Sequence, residues 1–167
     1  MPTVGHLAVG LAVARHGQGV DRRFAMPLLA VLSILPDLDL IARPLGAGYL
    51  EPLAHRGIFH SPAVAMVISL VGALIAWRAG LSPWRWGVLV LVAVGSHGLL
   101  DSLNEGDLGV PLLWPFSKHR FLAGWFPAAA VRTSSIGLRM IAFDLVLSVP
   151  LLIYAFWPRG RATPGRP

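Results

Sequence analysis

At 167 residues the chain is long enough for one domain and shows no sign of a second. Hydrophobic residues make up 55% of it and charged residues only 13%, against about a quarter charged in soluble domains, and its mean hydropathy is +0.66. These values exclude an ordinary water-soluble domain and make a lipid bilayer the solvent to argue from. The net charge of +6 would suggest nucleic acid as the partner of a soluble protein, but here the arginines sit mostly at the ends of apolar runs, with no basic stripe interleaved with aromatic residues. Nucleic acid is therefore not expected, and the basicity reads as membrane orientation, with anionic lipid as a partner. The absence of cysteine excludes disulfides, zinc knuckles and thiol nucleophiles.

In chain order, the first apolar segment covers residues 4–14. No basic region precedes it, so MPTVGHLAVGLAVARHG reads as a retained segment and not as a signal peptide. It is too short to span a bilayer alone and predicts a partial or bundle-buried helix. The second segment, 24–42, is interrupted at Pro36, which restrains Leu35 away from helical geometry; the helix is predicted to end near Leu35, with PDLD in a turn. Ser61-Pro62 combines an N-cap residue with a proline at the first helical position, so a helix is predicted to start there and run through the apolar residues 62–77. RAGLSPWRW predicts a tight turn, and Ser82-Pro83 repeats the start signal ahead of the segment 86–100.

Residues 102–137 are too long for a featureless connection and predict short interfacial helices anchored by Trp114 and Trp125. Of the five segments only the last, 138–157, reaches the ~20 residues that comfortably cross about 30 Å of hydrocarbon. The tail RGRATPGRP, residues 159–167, predicts disorder. The predicted fold is all-α: a polytopic membrane bundle of about four to five apolar helices forming one domain over residues 1–158, with a basic tail.

The arginines suggest an orientation. Arg15, Arg22, Arg23, Arg78, Arg85, Arg159, Arg161 and Arg166 fall where alternate connections and the tail lie; Arg43, Arg56, Lys118, Arg120, Arg132 and Arg139 fall on the other side. That division of eight to six places the N-terminus outside, five passes, and the C-terminus in the cytoplasm of a bacterial inner membrane.

The same threading brings polar residues to one end, which the margin makes non-cytoplasmic. His6 starts the first segment, Asp37 and Asp39 end the second, His55 and His60 precede the third, and His97 and Asp101 end the fourth. Seven such groups beside hydrocarbon require mutual neutralisation or a bound cation. Histidine with aspartate and no cysteine is a donor set for zinc, manganese or iron, and carboxylates can bridge two ions. His97 and Asp101, four apart, share a helix face. Asp37 and Asp39 converge only from a turn. His55 and His60 would diverge by about 140° on one helix, so His55 is predicted in a loop and His60 just before the Ser61 cap. His16 and His119 read as solvated or headgroup residues. Asp144, about two turns inside the last segment, reads either as outer support for the site or as half of a buried salt bridge with Arg139 or Arg56.

ILPDLD, HRGIFHS, SHGLLD and GVPLLWPFS, in that order, resemble the YdjM family of bacterial inner-membrane proteins, described as membrane-bound metal-dependent hydrolases and known for a LexA-regulated member. The resemblance covers roughly residues 4–157. It implies metal-dependent hydrolysis and carries site roles onto Asp37, Asp39, His55, Arg56, His60, His97 and Asp101, with His6 matching an N-terminal histidine. SLNEGDL, after Asp101, is longer and more acidic than the family's Thr-rich stretch; whether Glu105 or Asp107 adds to the site stays open, with Glu105 grouped with Asp144 as outer support.

The expected reaction is hydrolysis of a phosphoester in a lipid or lipid-linked, amphiphilic substrate entering from the leaflet. One or about two divalent ions, zinc favoured and manganese the alternative, would be held by His6, Asp37, Asp39, His55, His60, His97 and Asp101. Asp39 or Asp37 would be base or bridge, His55 ligand or proton shuttle, and Arg56 would hold phosphate. An ion or proton pathway and a purely structural metal site are the rival readings.

Overall fold

A computed structural model describes residues 3–42, 52–53, 55–103, 109–123 and 135–158. Five α-helices, α1 (Thr3–Ala14), α2 (Arg22–Ile34), α3 (Pro62–Arg78), α4 (Pro83–Ser102) and α5 (Ser135–Phe156), match the five apolar segments, and there is no strand among the described residues. Pro62 and Pro83 open α3 and α4 as expected; the Ser61 hydroxyl accepts from Val64 N at 3.3 Å, whereas Ser82 makes no side-chain capping bond.

The expectation at Pro36 needs correction. Leu35 keeps right-handed helical geometry (φ −54°, ψ −39°), and Leu35–Ala42 winds on as a 3-10 helix, so PDLD is helical and not a simple turn. The tighter winding keeps the chain helical around a proline that cannot donate. As a result Arg22–Ile41 forms one run of 20 residues, the one helical stretch among the described residues that is both long and apolar enough to cross a membrane. Val4–Ala14, Pro62–Arg78 and Asp144–Phe156 are apolar but shorter.

The connection after α4 is also corrected over its described part. Residues 109–123 contain turns and no helix; a single antiparallel bridge between Val110 and Phe121 closes them into a loop, and Ala123 N bonds Ser102 O at 2.8 Å to fasten it to α4. Pro111 and Pro115 each remove a backbone donor that a helix would need. Trp114 is half-buried in this loop, whereas Trp125 and the tail 159–167 lie outside the described residues.

α1 is bundle-buried as expected, packing against α2, α4 and α5. Its small residues permit this: Ala8 and Ala12 are buried, and a Cβ at Gly10 would run into the Leu29 carbonyl of α2. The core continues through Ala25, Leu29, Ala65, Trp86, Val90 and Val94. Outward faces are apolar too, with Leu70 and Val146 more than two-thirds exposed at 69% and 68%. A surface of this kind suits lipid and not water.

Consecutive helices run in opposite directions, giving the bundle two distinct ends. At one, the carbonyls of Tyr154 in α5 and of Trp157 just beyond it each accept from Arg15 Nη1 at 2.6 Å, and Ala155 O accepts from Arg22. Here the arginines satisfy the last carbonyls of a helix. His16, exposed at this end, pairs through Nε2 with the Tyr154 hydroxyl at 2.8 Å.

Candidate metal centre

The opposite end is assembled from the start of α1, the 3-10 helix after α2, the segment before α3 and the last turn of α4. His97 and Asp101 do share a face of α4, with Nε2 and Oδ2 3.9 Å apart. The His97 Nδ1 atom lies 2.8 Å from the backbone oxygen of Ser33. A carbonyl only accepts, so Nδ1 donates to it, which turns Nε2 into the cluster, 3.3 Å from Asp37 Oδ1.

His60 ends the 3-10 turn Ile58–His60, directly before the Ser61 cap, as predicted. Its Nδ1 faces Asp39 Oδ2 at 3.2 Å, while its Nε2 faces Asp37 Oδ1 at 3.7 Å and Asp101 Oδ2 at 3.6 Å. Burial alone would lower the pKa of this imidazole, but the carboxylates of Asp37 and Asp39 outweigh burial and raise it. The depth of the turn depends on Gly98, where a Cβ would collide with the His60 carbonyl oxygen. Glycine lets the segment before α3 lie directly on α4.

His55 reaches the same carboxylates from its loop, with Nδ1 2.9 Å from Asp39 Oδ1 and 3.9 Å from Asp37 Oδ1. On α1, His6 places Nε2 3.4 Å from Asp101 Oδ1 and stacks on the His97 ring at 3.7 Å between centroids. All seven predicted side chains therefore meet. Two overlapping sets have ligand atoms within 4.8 Å of one another: Asp37, Asp39, His55 and His60, and Asp37, His60, His97 and Asp101. Asp37 and His60 belong to both, while His6 lies beside the second set through Asp101.

Arg56 is buried within the cluster, its Nε 3.2 Å from Asp101 Oδ2. Its φ of 61° puts a non-glycine residue in the left-handed region, which costs of order 1–3 kcal/mol and persists only where neighbours fix it. They do so here: Arg56 N donates to Asp39 Oδ2 at 3.1 Å, and Arg56 O accepts from Arg120 Nη2 at 2.9 Å. The strain thus ties the Arg56 backbone to Asp39 and its side chain to Asp101.

Asp144 is buried, and its Oδ1 accepts from Gly5 N at 2.9 Å. A carboxylate from α5 therefore caps the first turn of α1, one residue before His6. The side chain of Arg139 and all of Glu105 and Asp107 lie outside the described residues. His119 is exposed, away from the cluster, with its ring edge-on to Phe121.

The donor set fits a divalent cation. Both ring nitrogens of His6 and of His60, and Nε2 of His97, are buried without a hydrogen bond. Each such atom costs about 1–3 kcal/mol if left so. Imidazole lone pairs facing three carboxylates match zinc or manganese chemistry.

Sequence reasoning had found the ligand candidates. It missed Ser33, whose contribution is a backbone oxygen, Gly98, whose contribution is the absence of a side chain, and Gly5, which contributes an N–H. The glycine in SHG was the one visible signal.

The model of the family described as YdjM inner membrane protein matches residues 1–162. The chain belongs to that family. It is 36% identical over 178 aligned positions to the inner membrane protein YbcI of Escherichia coli (strain K12), covering 96% of this chain and 100% of that one. No solved structure matches. As a family member the chain is a membrane protein, and the family description supports the bacterial inner membrane as its location.

Proposed function

We propose that this protein is a multi-pass, metal-dependent hydrolase that cleaves a phosphoester of a lipid or lipid-linked substrate. One observation carries the reading. The imidazoles of His6, His60 and His97 are enclosed, yet the cluster opens at Asp37 and His55, whose side chains are 23% and 22% exposed. A purely structural metal site is closed by its ligands, whereas a catalytic one keeps an open side.

A bound divalent cation would supply Lewis acidity toward a phosphoryl oxygen and would acidify water. The chain's own groups would do the remaining work. Asp37, common to both ligand sets, is suited to bridge two ions. Asp39 orients His55, and the solvent-facing side of that imidazole is suited to take a proton from water and return one to the leaving oxygen. Arg56, beside Asp101, offers a guanidinium to phosphoryl oxygens.

Five helices of alternating direction with apolar outer faces support five crossings, with Arg15, Arg22 and the end of α5 on the cytoplasmic side and the site on the other. A transport pathway would favour acids near mid-membrane. Asp144, the deepest in sequence, instead caps α1 at the site end.

The test is metal analysis of the full chain in nanodiscs, with phosphate release measured from phosphatidic acid and from water-soluble p-nitrophenyl phosphate. Stoichiometric zinc or manganese is expected, with turnover lost together with metal in Asp37→Ala and His60→Ala. A wild-type protein that takes up no divalent ion, or variants that turn over normally without it, would overturn the reading.

A further inference from the structure

α2 and α3 are consecutive helices, yet they do not pack on each other: among the described residues none of their Cα atoms approach within 8 Å. Both instead lean on α4, which leaves an open cleft between them. Two cavities occupy it. The one nearer the site, of 560 Å³, is walled by Leu38, Ile41, Phe59 and Val64 and reaches Asp39; the other, of 270 Å³, lies between Leu28, Leu32, Val71 and Ile75 and is floored by Trp86 and Val90. Ile68 lines both, so the two cavities adjoin along α3. Among the described lining residues Asp39 is the one ionisable residue, and it meets the cavity through its backbone while its buried carboxylate belongs to the candidate metal centre.

We propose that this cleft is a subsite for the hydrocarbon tail of the amphiphilic phosphate compound whose head lies at the metal centre. The inference rests on the lipid-substrate reading above and names where its apolar part goes. Chemistry fixes the occupant: a lining so nearly free of polar groups offers nothing to a headgroup or a peptide backbone, but it suits methylene chains. Position fixes the direction, since the cleft begins at the backbone of the segment that carries Asp37 and Asp39 and extends away from it along α3.

Length is consistent as well. From Val64 to Ala79 the α3 wall rises roughly 22 Å at about 1.5 Å per residue. One leaflet's share of the hydrocarbon is about 15 Å deep, so an acyl chain fits within the wall. The cleft opens sideways, so a tail can slide in from the bilayer without leaving it.

The test uses the full chain in nanodiscs with a phosphatidic acid carrying a diazirine midway along one acyl chain, and diacylglycerol with the same label as the arm lacking phosphate. Crosslinks are mapped by mass spectrometry. Labelling is expected at Leu28, Leu32, Ile68 and Val71, several-fold stronger for the phosphate-bearing probe. Ile68→Trp, which plugs the junction of the two cavities, should weaken labelling roughly tenfold. Leu70→Trp, on the outward face of the same helix, should leave it unchanged and controls for folding. Equal labelling by both probes, crosslinks spread evenly over outward residues such as Leu70, or crosslinks between two copies of the chain would each overturn the proposal. Metal content is measured on the same samples. A protein without metal that still labels preferentially at the cleft contradicts the hydrolase reading and keeps the tail subsite; one with metal and turnover but no preferential labelling does the reverse.

Discussion

At one end of the bundle Arg15 donates to two carbonyl oxygens at the end of α5, Arg22 donates to a third, and His16 meets Tyr154 at the surface. At the other end, both ring nitrogens of His6 and His60 and Nε2 of His97 are buried without a hydrogen bond, facing the carboxylates of Asp37, Asp39 and Asp101. Both ends answer the same problem, polar groups at helix termini beside hydrocarbon. The first solves it locally, donor to carbonyl, and needs nothing further. The second gathers imidazole nitrogens and three carboxylates around one point, with Arg56 beside Asp101, a donor set that could hold a cation. Polar residues at helix ends are thus informative when their unmet valences point at one another.

The largest effect that would sharpen this comparison is expected at Gly98. A methyl group there meets the His60 carbonyl, so Gly98→Ala must push the Ile58–His60 turn off α4. Overpacking of this sort costs about 1–3 kcal/mol, and the displacement should also remove bound metal. Gly95→Ala on the same helix meets Ala65 Cβ at an ordinary 3.6 Å and should keep both stability and metal. Metal-to-protein ratio and thermal unfolding of the pair would decide; equal metal content in both variants would show that the turn does not set the site.

The next effect depends on pH. His60 must be unprotonated to bind an ion, and its neighbours raise its pKa above the ordinary value. Protons then compete with metal from a higher pH than usual, so affinity should be full above that raised pKa and fall as pH drops through it. Zinc titrations between about pH 5 and 8 on wild-type protein and on Asp39→Asn would show this. The variant loses one of the charges that raise the pKa, so its loss of affinity should begin at lower pH, although its affinity at high pH is weaker.

Much of this was legible in the chain. Ser61-Pro62 and Ser82-Pro83 marked two helix starts because a proline at the first helical position acts locally, and the Ser61 cap also separated His55 in a loop from His60 at the helix mouth. The alternation of apolar segments brought seven ligand candidates to one level. What was not legible depends on contacts between distant segments. Pro36 ends the α-helix but not the helical path, because 3-10 winding absorbs it. Arg56 is held beside Asp101 by a backbone conformation no spacing rule describes. Asp144 reads in the chain as outer support or as half of an ion pair, and its capping of another helix is invisible there, since Gly5 N–H leaves no trace in side-chain chemistry.

Asp144 offers an intermediate effect. Asp144→Ala leaves Gly5 N without its acceptor and should cost about 0.5–2 kcal/mol, the usual range for a lost cap. His6 would loosen with the first turn of α1, weakening metal binding modestly, because His6 sits outside both four-residue sets. Asp144→Asn retains an acceptor oxygen and should restore most of the loss. A collapse of metal content in the Asn variant would mean that the carboxylate's charge, and not its hydrogen bond, is what the site uses.

The smallest effect is expected at the opposite end, and it is the one able to break the comparison. Tyr154→Phe removes the hydroxyl paired with His16 at an exposed position while leaving the ring under Arg15, whose guanidinium carbon lies 4.9 Å from its centroid. Water can take over the hydrogen bond to His16, so the stability change should stay within about 0.5 kcal/mol. Arg15 still donates to the Tyr154 and Trp157 backbone oxygens, so the end of α5 stays pinned. Metal content, its pH dependence and acyl-chain crosslinking should all match the wild type. A drop in any of them would mean that the two ends are coupled along α1, the helix that carries His6 near its start and ends beside Arg15, and that the arginine end tunes the metal centre instead of merely closing the bundle.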